Sequence, residues 1–400
     1  MTAPWDLLHV ITKLELGGAQ RVAMYQVEHS RFVTGERHLA FGPGGLLDAE
    51  AERLPGVVTH RLGALGRHVS PLDDARAVAE VATLVRALKA RRPGARLLVH
   101  THSSKAGVVG RLGAALAGAD RIVHTIHGFG HNHQGRGPLR WALTAAERLA
   151  AHACDGLIAV TLANICEGER DRLLADRPAR VVRAGIELDA FVRPARPRAE
   201  VRAALGIAED AVVVLTVACL KPQKDPATWA EVGRRVTAEV PGAVFLLAGD
   251  GDLRPSTEAF IFEHGLGRRL RLLGWRDDVP DLLHASDVFF LPSLWEGLPQ
   301  VVVQAMAARL PVVATAVDGT PEAVRDGETG YLVAPGDAKG MAAILVRLAL
   351  SPEERRCLGE RGSEMVDPFS AEQMMRDLDA FYAELAARRP RRLLARARSQ

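Results

Sequence analysis

Glu296 and Gly297 lie in a short turn between an apolar run and an apolar helical pattern. Glycine in the turn and Pro299 near the first helical position are typical helix start signals. The first N–H groups of such a helix have no partner inside it and attract phosphate. Here they would belong to Gly297, Leu298 and Gln300. The Glu296 carboxylate would repel a phosphate but could accept hydrogen bonds from sugar hydroxyls, although a capping or solvated carboxylate also fits the pattern.

Basic side chains follow another apolar run. Residues 217–225 pass from that run into a loop that holds Lys221 and Lys224. A lysine at such a position could neutralise an anion, or it could simply lie at the surface.

Four histidines lie within residues 124–133, directly after an apolar run. Imidazole suits zinc, but no carboxylate or thiolate is interleaved and the spacing matches no standard zinc pattern. We therefore predict no metal site here. The segment 100–107 is a similar loop, with two further histidines and a lysine.

Short apolar runs rich in β-branched residues alternate with helical patterns along the chain. Strands that are apolar throughout and alternate with helices indicate parallel sheets covered on both faces. The predicted strands are residues 7–11, 96–101, 121–125, 156–160, 212–217, 243–248, 270–273, 288–291 and 311–314. The predicted fold class is α/β with doubly wound parallel sheets, which bind ligands at the carboxyl ends of their strands.

A chain of 400 residues is too long for one hydrophobic core, so two domains are expected. The Pro/Arg-rich segment 193–198 disfavours helix near the middle of the chain, which indicates a boundary. We expect a first domain over 1–192, a second over 199–366, and a final helix over 367–387 that packs back on the first domain. Residues 388–400 form a basic tail.

The charge balance argues against a nucleic-acid partner, because 51 basic and 48 acidic residues leave a net charge of only +3. The tail is a local exception, with six arginines and no acid: Arg388, Arg389, Arg391, Arg392, Arg396 and Arg398. Its composition fits either a solvated tail or attraction to an anionic membrane surface.

Neither disulfides nor membrane spans are expected. The four cysteines are far apart and include no CxxC pair, which fits reduced thiols. The first residues lack the pattern of a signal peptide, and the longest apolar runs, such as 211–220, are about half a membrane span. We expect a cytoplasmic protein, with any membrane contact peripheral and at the inner face.

Three motifs in the second half of the chain resemble a known family. Glu-Gly-Leu-Pro at 296–299 precedes an apolar helix and is followed by Pro-Val-Val-Ala-Thr at 311–315 and Gly-Thr-Pro-Glu at 319–322. This order is similar to the retaining glycosyltransferases of family 4, and the resemblance extends from Gly17 to the last helix. It implies the GT-B fold, in which two Rossmann-like domains face each other across a cleft.

The resemblance also implies an activity. Family members move a sugar from a nucleotide diphosphate, here expected to be UDP, to a hydroxyl of an acceptor. A glycan, a lipid-linked or a natural-product acceptor all fit. The family transfers with retention of anomeric configuration and the leaving phosphate is thought to take the acceptor proton, so no protein base is expected.

The resemblance assigns roles to individual residues. The family's catalytic lysine, glutamate and histidine match Lys224, Glu296 and His127. The expected donor-binding residues are Gly17, Gly18, Trp275, Arg276, Val279, Gly297, Leu298, Pro299, Gln300 and Gln304. The expected acceptor contacts are His102, Lys105, His131 and His133, with a plain surface role as the alternative.

Two positions depart from the family pattern. Gln304 stands where the family has a glutamate on the ribose hydroxyls, and a neutral amide loses the assistance of charge. Cys219 stands where many members have an arginine on the diphosphate, although Lys221 could replace it. Asp250 and Asp252 match an Asp-x-Asp metal motif, but their surroundings resemble a Gly-rich turn of the family. No metal, and no cofactor besides the nucleotide-sugar substrate, is expected.

Other functions share this scaffold and stay open at this point. They are a nucleotide-sugar epimerase, a sugar phosphorylase and a non-catalytic nucleotide-sugar-binding protein, the last suggested by Cys219 and Gln304. The chain has neither a G-x-G-x-x-G nor a P-loop pattern, which counts against dehydrogenases and P-loop enzymes.

Overall fold

The computed structural model describes residues 3–129 and 137–388, and for Leu139 only the backbone. The chain forms two compact units. The first unit joins the chain up to Ala184 with the residues from Glu372 onward, and the second spans Gly185–Ala371.

The first unit is built on a seven-stranded sheet in which all neighbouring strands are parallel. Its strands are β1 (Trp5–Lys13), β2 (Arg37–Gly42), β3 (Val57–Arg61), β4 (Arg96–His102), β5 (Arg121–Ile126), β6 (Gly156–Ala159) and β7 (Ala179–Val181). They lie in the order β3-β2-β1-β4-β5-β6-β7. The helices between them are α1 (Gly18–His29), α2 (Asp48–Ala51), α3 (Pro71–Arg91), α4 (Ser104–Leu116), α5 (Pro138–His152) and α6 (Leu162–Arg170).

The second unit has a six-stranded sheet, again with parallel neighbours. Its strands are β8 (Val212–Val217), β9 (Ala243–Ala248), β10 (Leu270–Gly274), β11 (Val288–Leu291), β12 (Val312–Thr315) and β13 (Gly330–Val333), in the order β10-β9-β8-β11-β12-β13. Its helices are α7 (Asp189–Val192), α8 (Arg198–Ala204), α9 (Pro226–Glu239), α10 (Arg254–Glu263), α11 (Val279–His284), α12 (Gln300–Ala307), α13 (Thr320–Ala323), α14 (Ala338–Leu350) and α15 (Pro352–Ser363). The predicted α/β class with doubly wound parallel sheets is confirmed.

The central strands follow the predicted apolar runs. β8, β9 and β11 have the bounds expected from the sequence, and they are almost completely buried because helices cover both faces of the sheet. Four strands are missing from the prediction: β2, β3, β7 and β13. Of these, β3, β7 and β13 lie at sheet edges and are partly exposed, so selection for a continuous apolar run is weak there.

The Pro/Arg-rich segment 193–198 does not separate the two units. The division falls between Ala184 and Gly185, and the segment belongs to the second unit. The backbone N–H groups of Ala195 and Arg196 both donate to the Asp281 carboxylate, at 2.8 and 3.1 Å. These bonds tie the segment to α11, which a reading of proline content alone does not reveal.

The chain ends in α16 (Ala371–Ala387), which packs on the first unit from Glu372 onward. Asp379 on this helix accepts from the Ser30 hydroxyl at 2.6 Å and from the Arg31 N–H at 2.8 Å. Tyr382 is fully buried, and Arg121 donates to the carbonyl of Leu385 at 2.7 Å. These contacts hold the final helix against the sheet and α1 of the first unit.

The strand order reverses beside the first strand of each sheet. β1 lies between β2 and β4, and β8 lies between β9 and β11. The connections that leave these neighbouring strands run to opposite faces, which opens a crevice at their carboxyl ends. The loops after β1 and β4, and those after β8 and β11, are therefore the places where each unit can form a site.

Gly249 directly follows β9 and allows a test of how tightly the second unit is packed at the carboxyl ends of its strands. Its φ is +140°, and an added Cβ would lie 2.0 Å from the carbonyl oxygen of Ala218. We expect Gly249→Ala to lower the free energy of unfolding by about 1–3 kcal/mol or more, because both the backbone and the close contact resist a side chain. Urea denaturation measures the change. Gly242→Ala, before the same strand and with open space around it, is the control; equal effects of the two changes would contradict the argument.

Candidate active site

An ion pair lies at the reversal point of the second sheet. Lys224 Nζ, from the loop after β8, lies 2.5 Å from Glu296 Oε1, from the loop after β11. The Ser293 hydroxyl donates to the same oxygen at 2.6 Å. Glu296 is only 8% exposed. Its carboxylate is therefore a buried, paired group and not a solvated or helix-capping one.

Further hydrogen bonds join the two loops that carry the pair. The N–H of Leu294 donates to the carbonyl of Gln223 at 2.8 Å, and the Gln223 amide donates to the carbonyl of Trp295 at 3.0 Å. Asp225 has a φ of +46° and caps α9 by accepting from the N–H of Thr228. The turn that holds Lys224 is fixed from both sides.

The loop after β12 forms hydrogen bonds with the loop that carries Glu296. Asp318 accepts from the N–H of Glu296 at 2.7 Å, and the Thr315 hydroxyl donates to the carbonyl of Ser293 at 2.5 Å. The N–H of Gly319 donates to the carbonyl of Gly297 at 3.1 Å. The loops after β8, β11 and β12, which are neighbouring strands of the sheet, thus meet around the Glu296 carboxylate.

The start of α12 presents free donors beside this carboxylate. The helix begins at Gln300, so Pro299 is the residue before it and not its first residue, and its backbone is extended. Within residues 3–129 and 137–388, the N–H groups of Gly297, Leu298 and Gln300 have no hydrogen-bond acceptor. The arrangement can bind an anion, as the sequence predicts.

Sequence reasoning missed one polar group in this region. The Thr320 hydroxyl is buried and has no hydrogen-bond partner among the described residues. It follows Gly319 in the Gly-Thr-Pro-Glu motif, so its place in that motif was the available signal.

The other residues of the second unit that are expected to bind the nucleotide sugar lie further from the Lys224–Glu296 pair in the sequence or on helices. Trp275 is half exposed, and Val279 begins α11. Arg276 donates to both oxygens of Asp278, at 2.7 and 2.6 Å, which lowers the pKa of that carboxyl. Gln304 lies partly buried on α12.

Asp250 and Asp252 do not form a paired carboxylate site. Asp250 accepts from the N–H of Gly251 at 2.8 Å and pairs with Arg254 at 3.3 Å, while Asp252 is exposed. Cys219 is partly exposed.

The reversal point of the first sheet holds a cluster of histidines. His9 on β1 is in register with His100 on β4, and the two-residue repeat of a strand places His102 on the same face as His100. His102 Nε2 lies 3.0 Å from His9 Nδ1, and His102 Nδ1 lies 3.2 Å from His127 Nε2. His124 turns to the other face and lies 3.0 Å from the Thr101 hydroxyl.

His102 is fully buried, and both of its ring nitrogens face other imidazoles. A histidine at the end of an apolar strand can point into the unit as easily as out of it, so its position in the sequence does not reveal this burial. His127 is partly exposed.

The other predicted residues of the first unit differ in their surroundings. Gly17 and Gly18 are exposed where β1 leads into α1. Lys105 pairs with Asp74 at 2.6 Å, so its charge already has a partner. His131 and His133 lie outside the described residues.

Burial keeps the clustered imidazoles neutral. It lowers the pKa of His9 to about 3 and that of His127 to about 4. The pKa values of His100, His102 and His124 also lie well below the ordinary value, first because of burial and then because of neighbouring groups, which are other histidines and, for His124, also Arg111. One ring nitrogen from each of His9, His100 and His102 lies within 4.8 Å of the other two.

Comparison with known proteins identifies the family. Residues 16–190 match the family described as Glycosyltransferase Family 4, and residues 197–365 match Glycosyl transferases group 1. The UDP-Gal:alpha-D-GlcNAc-diphosphoundecaprenol alpha-1,3-galactosyltransferase of Escherichia coli is 31% identical over 86% of this chain and 87% of its own. The chain belongs to glycosyltransferase family 4. The resemblance seen in the sequence is confirmed.

Two further proteins are similar to this chain. A D-inositol 3-phosphate glycosyltransferase of Mycobacterium marinum is 32% identical over 79% of this chain and 72% of its own. The crystal structure of Anabaena Alr3699/HepE in complex with UDP has a TM-score of 0.77 at 21% identity and covers 95% of this chain and 100% of that one. The fold is GT-B, and the protein is a glycosyltransferase that uses a nucleotide sugar.

Among helices within the described ranges, none has the length and apolar character needed to cross a bilayer.

The buried histidines of this glycosyltransferase predict a stability that falls in acid. Between about pH 6.5 and pH 4, each imidazole takes up a proton only when the chain unfolds, so protons favour the unfolded state. Each histidine lowers the free energy of unfolding by about 1.4 kcal/mol per pH unit in that window, and none does so above about pH 7.

Urea denaturation at several pH values between 7.5 and 5 checks this expectation. In His9→Gln the number of protons taken up on unfolding should fall by about one, since the pKa of His9 is about 3. The free energy of unfolding should then depend less steeply on pH. His264→Gln changes an exposed histidine and should leave the slope as it is. A slope that His9→Gln does not alter would show that His9 is protonated in the folded protein.

Proposed function

We propose that this family 4 enzyme transfers a hexose from a UDP-sugar to a hydroxyl of a lipid-linked acceptor, with retention of the anomeric configuration. The observation that carries the proposal is the buried Lys224–Glu296 pair beside the free N–H groups at the start of α12. A cation and free donors suit a departing diphosphate, and a carboxylate suits sugar hydroxyls.

Lys224 and the start of α12 act on the leaving group. Cleavage of the anomeric C–O bond leaves negative charge on the diphosphate, and fixed donors stabilise that charge without reorganising. Because Lys224 supplies a positive charge at this point, we propose that transfer needs no metal ion. The acceptor proton passes to the leaving phosphate, so no side chain serves as base.

Glu296 and His127 act on the sugar. Glu296 Oε1 is occupied by Lys224 and Ser293, whereas Oε2 has no hydrogen-bond donor in the part of the chain that the structure describes. We assign Oε2 to a sugar hydroxyl. The family resemblance assigns His127 to the donor sugar as well.

Several observations support UDP as the nucleotide. The Escherichia coli relative uses UDP-Gal according to its name, and the Anabaena protein was crystallised with UDP. Half-exposed Trp275 can stack on a base, with Arg276 near the base and Val279 near its edge. Gln304 bonds to the ribose hydroxyls through its neutral amide, which weakens this contact compared with a carboxylate.

The acceptor assignment rests on the Escherichia coli relative, whose named acceptor carries a diphosphoundecaprenol. The arginine-rich tail suits a protein that meets such an acceptor at an anionic membrane, since each basic residue near the surface contributes about 1 kcal/mol. Its residues 389–400 lie outside the described residues.

Lys224→Met tests the site. We expect kcat to fall by about 100-fold or more, because the developing charge loses a fixed cation. Lys339→Met is the control, since Lys339 is an exposed lysine on α14 of the same unit and forms no ion pair in the described part of the chain. The assay follows UDP release from UDP-glucose and UDP-galactose with a diphosphoundecaprenol-linked sugar as acceptor, and NMR reads the anomeric configuration of the product.

The same assay tells the rival functions apart. An α-linked product whose yield is unchanged by a chelator agrees with the proposal. An epimerised UDP-sugar, a sugar phosphate formed from inorganic phosphate, or donor binding without turnover would each point to a different function. Full activity of Lys224→Met would overturn the site assignment.

The tail gives a separate prediction. Replacing Arg389, Arg391, Arg392, Arg396 and Arg398 with glutamine should abolish sedimentation of the protein with vesicles rich in phosphatidylglycerol, because it removes the attraction between opposite charges. Transfer to a short, water-soluble acceptor should not change. Vesicles of phosphatidylcholine are the control, and equal binding to both vesicle types would contradict the prediction.

A further inference from the structure

A hydrogen-bonded chain connects His127 to the C-terminal helix. His127 Nε2 lies 3.2 Å from His102 Nδ1, and His102 Nε2 lies 3.0 Å from His9 Nδ1. His9 Nε2 lies 3.4 Å from the hydroxyl of Tyr382 on α16. Of these four residues, His9, His102 and Tyr382 are fully buried and His127 is partly exposed.

The protonation of this chain follows from its burial. The pKa values of His9, His102 and His127 all lie below the ordinary value, so the three imidazoles are neutral near pH 7. Burial raises the pKa of Tyr382, which keeps its proton. A neutral imidazole has one N–H and one lone pair. Since each contact between two imidazoles uses one of each, all donors must point the same way along the chain.

A second partner of Tyr382 sets that direction. The Tyr382 oxygen lies 2.5 Å from His100 Nδ1 but 3.4 Å from His9 Nε2. O–H donors form shorter hydrogen bonds than N–H donors, so the hydroxyl donates to His100 and accepts from His9. His100 then has its proton on Nε2, from which it donates to the Thr125 hydroxyl at 2.7 Å.

The same direction continues along the rest of the hydrogen-bonded chain. Because the Tyr382 oxygen accepts from His9, the proton of His9 is on Nε2 and its Nδ1 is a lone pair. His9 Nδ1 therefore accepts from His102, and His102 Nδ1 accepts from His127.

The geometry favours this chain over a metal centre. The rings of His100 and His102 lie side by side, with centroids 4.2 Å apart and planes at 34°. Both nitrogens of His102 face other imidazoles, and both nitrogens of His100 face hydroxyl groups. A metal ion would have to break several of these bonds.

We propose that Tyr382 is a positioning residue that acts through His9 and His102 to hold the proton of His127 on Nε2. His127 Nδ1 is then a lone pair that accepts a hydrogen bond from a hydroxyl of the donor sugar. In the described part of the chain Nδ1 has no other partner. The inference rests on the proposed function for the contact between His127 and the sugar.

The test reads the tautomer directly. Full-length protein labelled with ¹⁵N-histidine gives long-range ¹H–¹⁵N spectra, in which His127→Asn identifies the signals of His127. We expect the wild-type His127 proton on Nε2, and a substantial Nδ1-protonated population in Tyr382→Phe. With UDP-glucose or UDP-galactose as donor, kcat of Tyr382→Phe should fall by about tenfold, as expected for one weakened hydrogen bond, while affinity for UDP alone stays the same.

Two further variants make the result decisive. His9→Gln interrupts the chain without changing α16 and should shift the His127 tautomer in the same way. Tyr331→Phe removes a hydroxyl that donates to Glu354 in the other unit and should change neither the spectra nor kcat.

Three outcomes would overturn the proposal: a wild-type His127 with its proton on Nδ1, a His127 tautomer unchanged in both Tyr382→Phe and His9→Gln, or a stoichiometric divalent ion bound by His9, His100 and His102. If His127→Asn keeps the full transfer rate, the sugar contact of the proposed function is wrong. The hydrogen-bonded chain is then judged by the spectra alone.

Discussion

The carboxyl edge of a doubly wound parallel sheet opens only where the strand order reverses, and both units depend on this constraint. In the second unit the reversal makes β8 and β11 neighbours, although two strands intervene in the sequence. Their loops then meet, which is why Lys224 and Glu296 form a pair. In the first unit the same reversal sets β1 beside β4 and aligns His9 with His100.

The second unit uses its edge to hold charge. A buried carboxylate costs several kcal/mol unless it is paired and hydrogen-bonded, and Oε1 of Glu296 is paired with Lys224 and accepts from Ser293. Such a pair adds little net stability compared with apolar packing. Its effect is to fix an ammonium group and a carboxylate at defined places beside the free N–H groups of α12.

The first unit has neutral polar groups, not charged ones, at the carboxyl ends of its central strands. Its polar groups are imidazoles that burial keeps neutral, joined to one another and to hydroxyl groups. A neutral chain has no strong electrostatic preference, but it does have a direction, because every imidazole can donate only once. The C-terminal helix enters this chain through Tyr382, so its packing on the first unit has a chemical consequence as well as a structural one.

The sequence by itself determined the local elements and much of the second site. Continuous apolar runs marked β8, β9 and β11, and the Glu-Gly-Leu-Pro turn marked Glu296 and the helix start. These features are encoded in a few consecutive residues, where burial on both faces or a special turn leaves a direct pattern. Family resemblance then singled out Lys224 as a second catalytic residue.

Only the tertiary structure decided what distant residues do together. The edge strands, the unit boundary at Ala184 and the burial of His102 depend on strand order and register, which no local pattern contains. The same is true of the chain from His127 to Tyr382. Its members come from β1, from β4, from the residues after β5 and from the last helix, so their meeting is fixed by the packing of the whole unit.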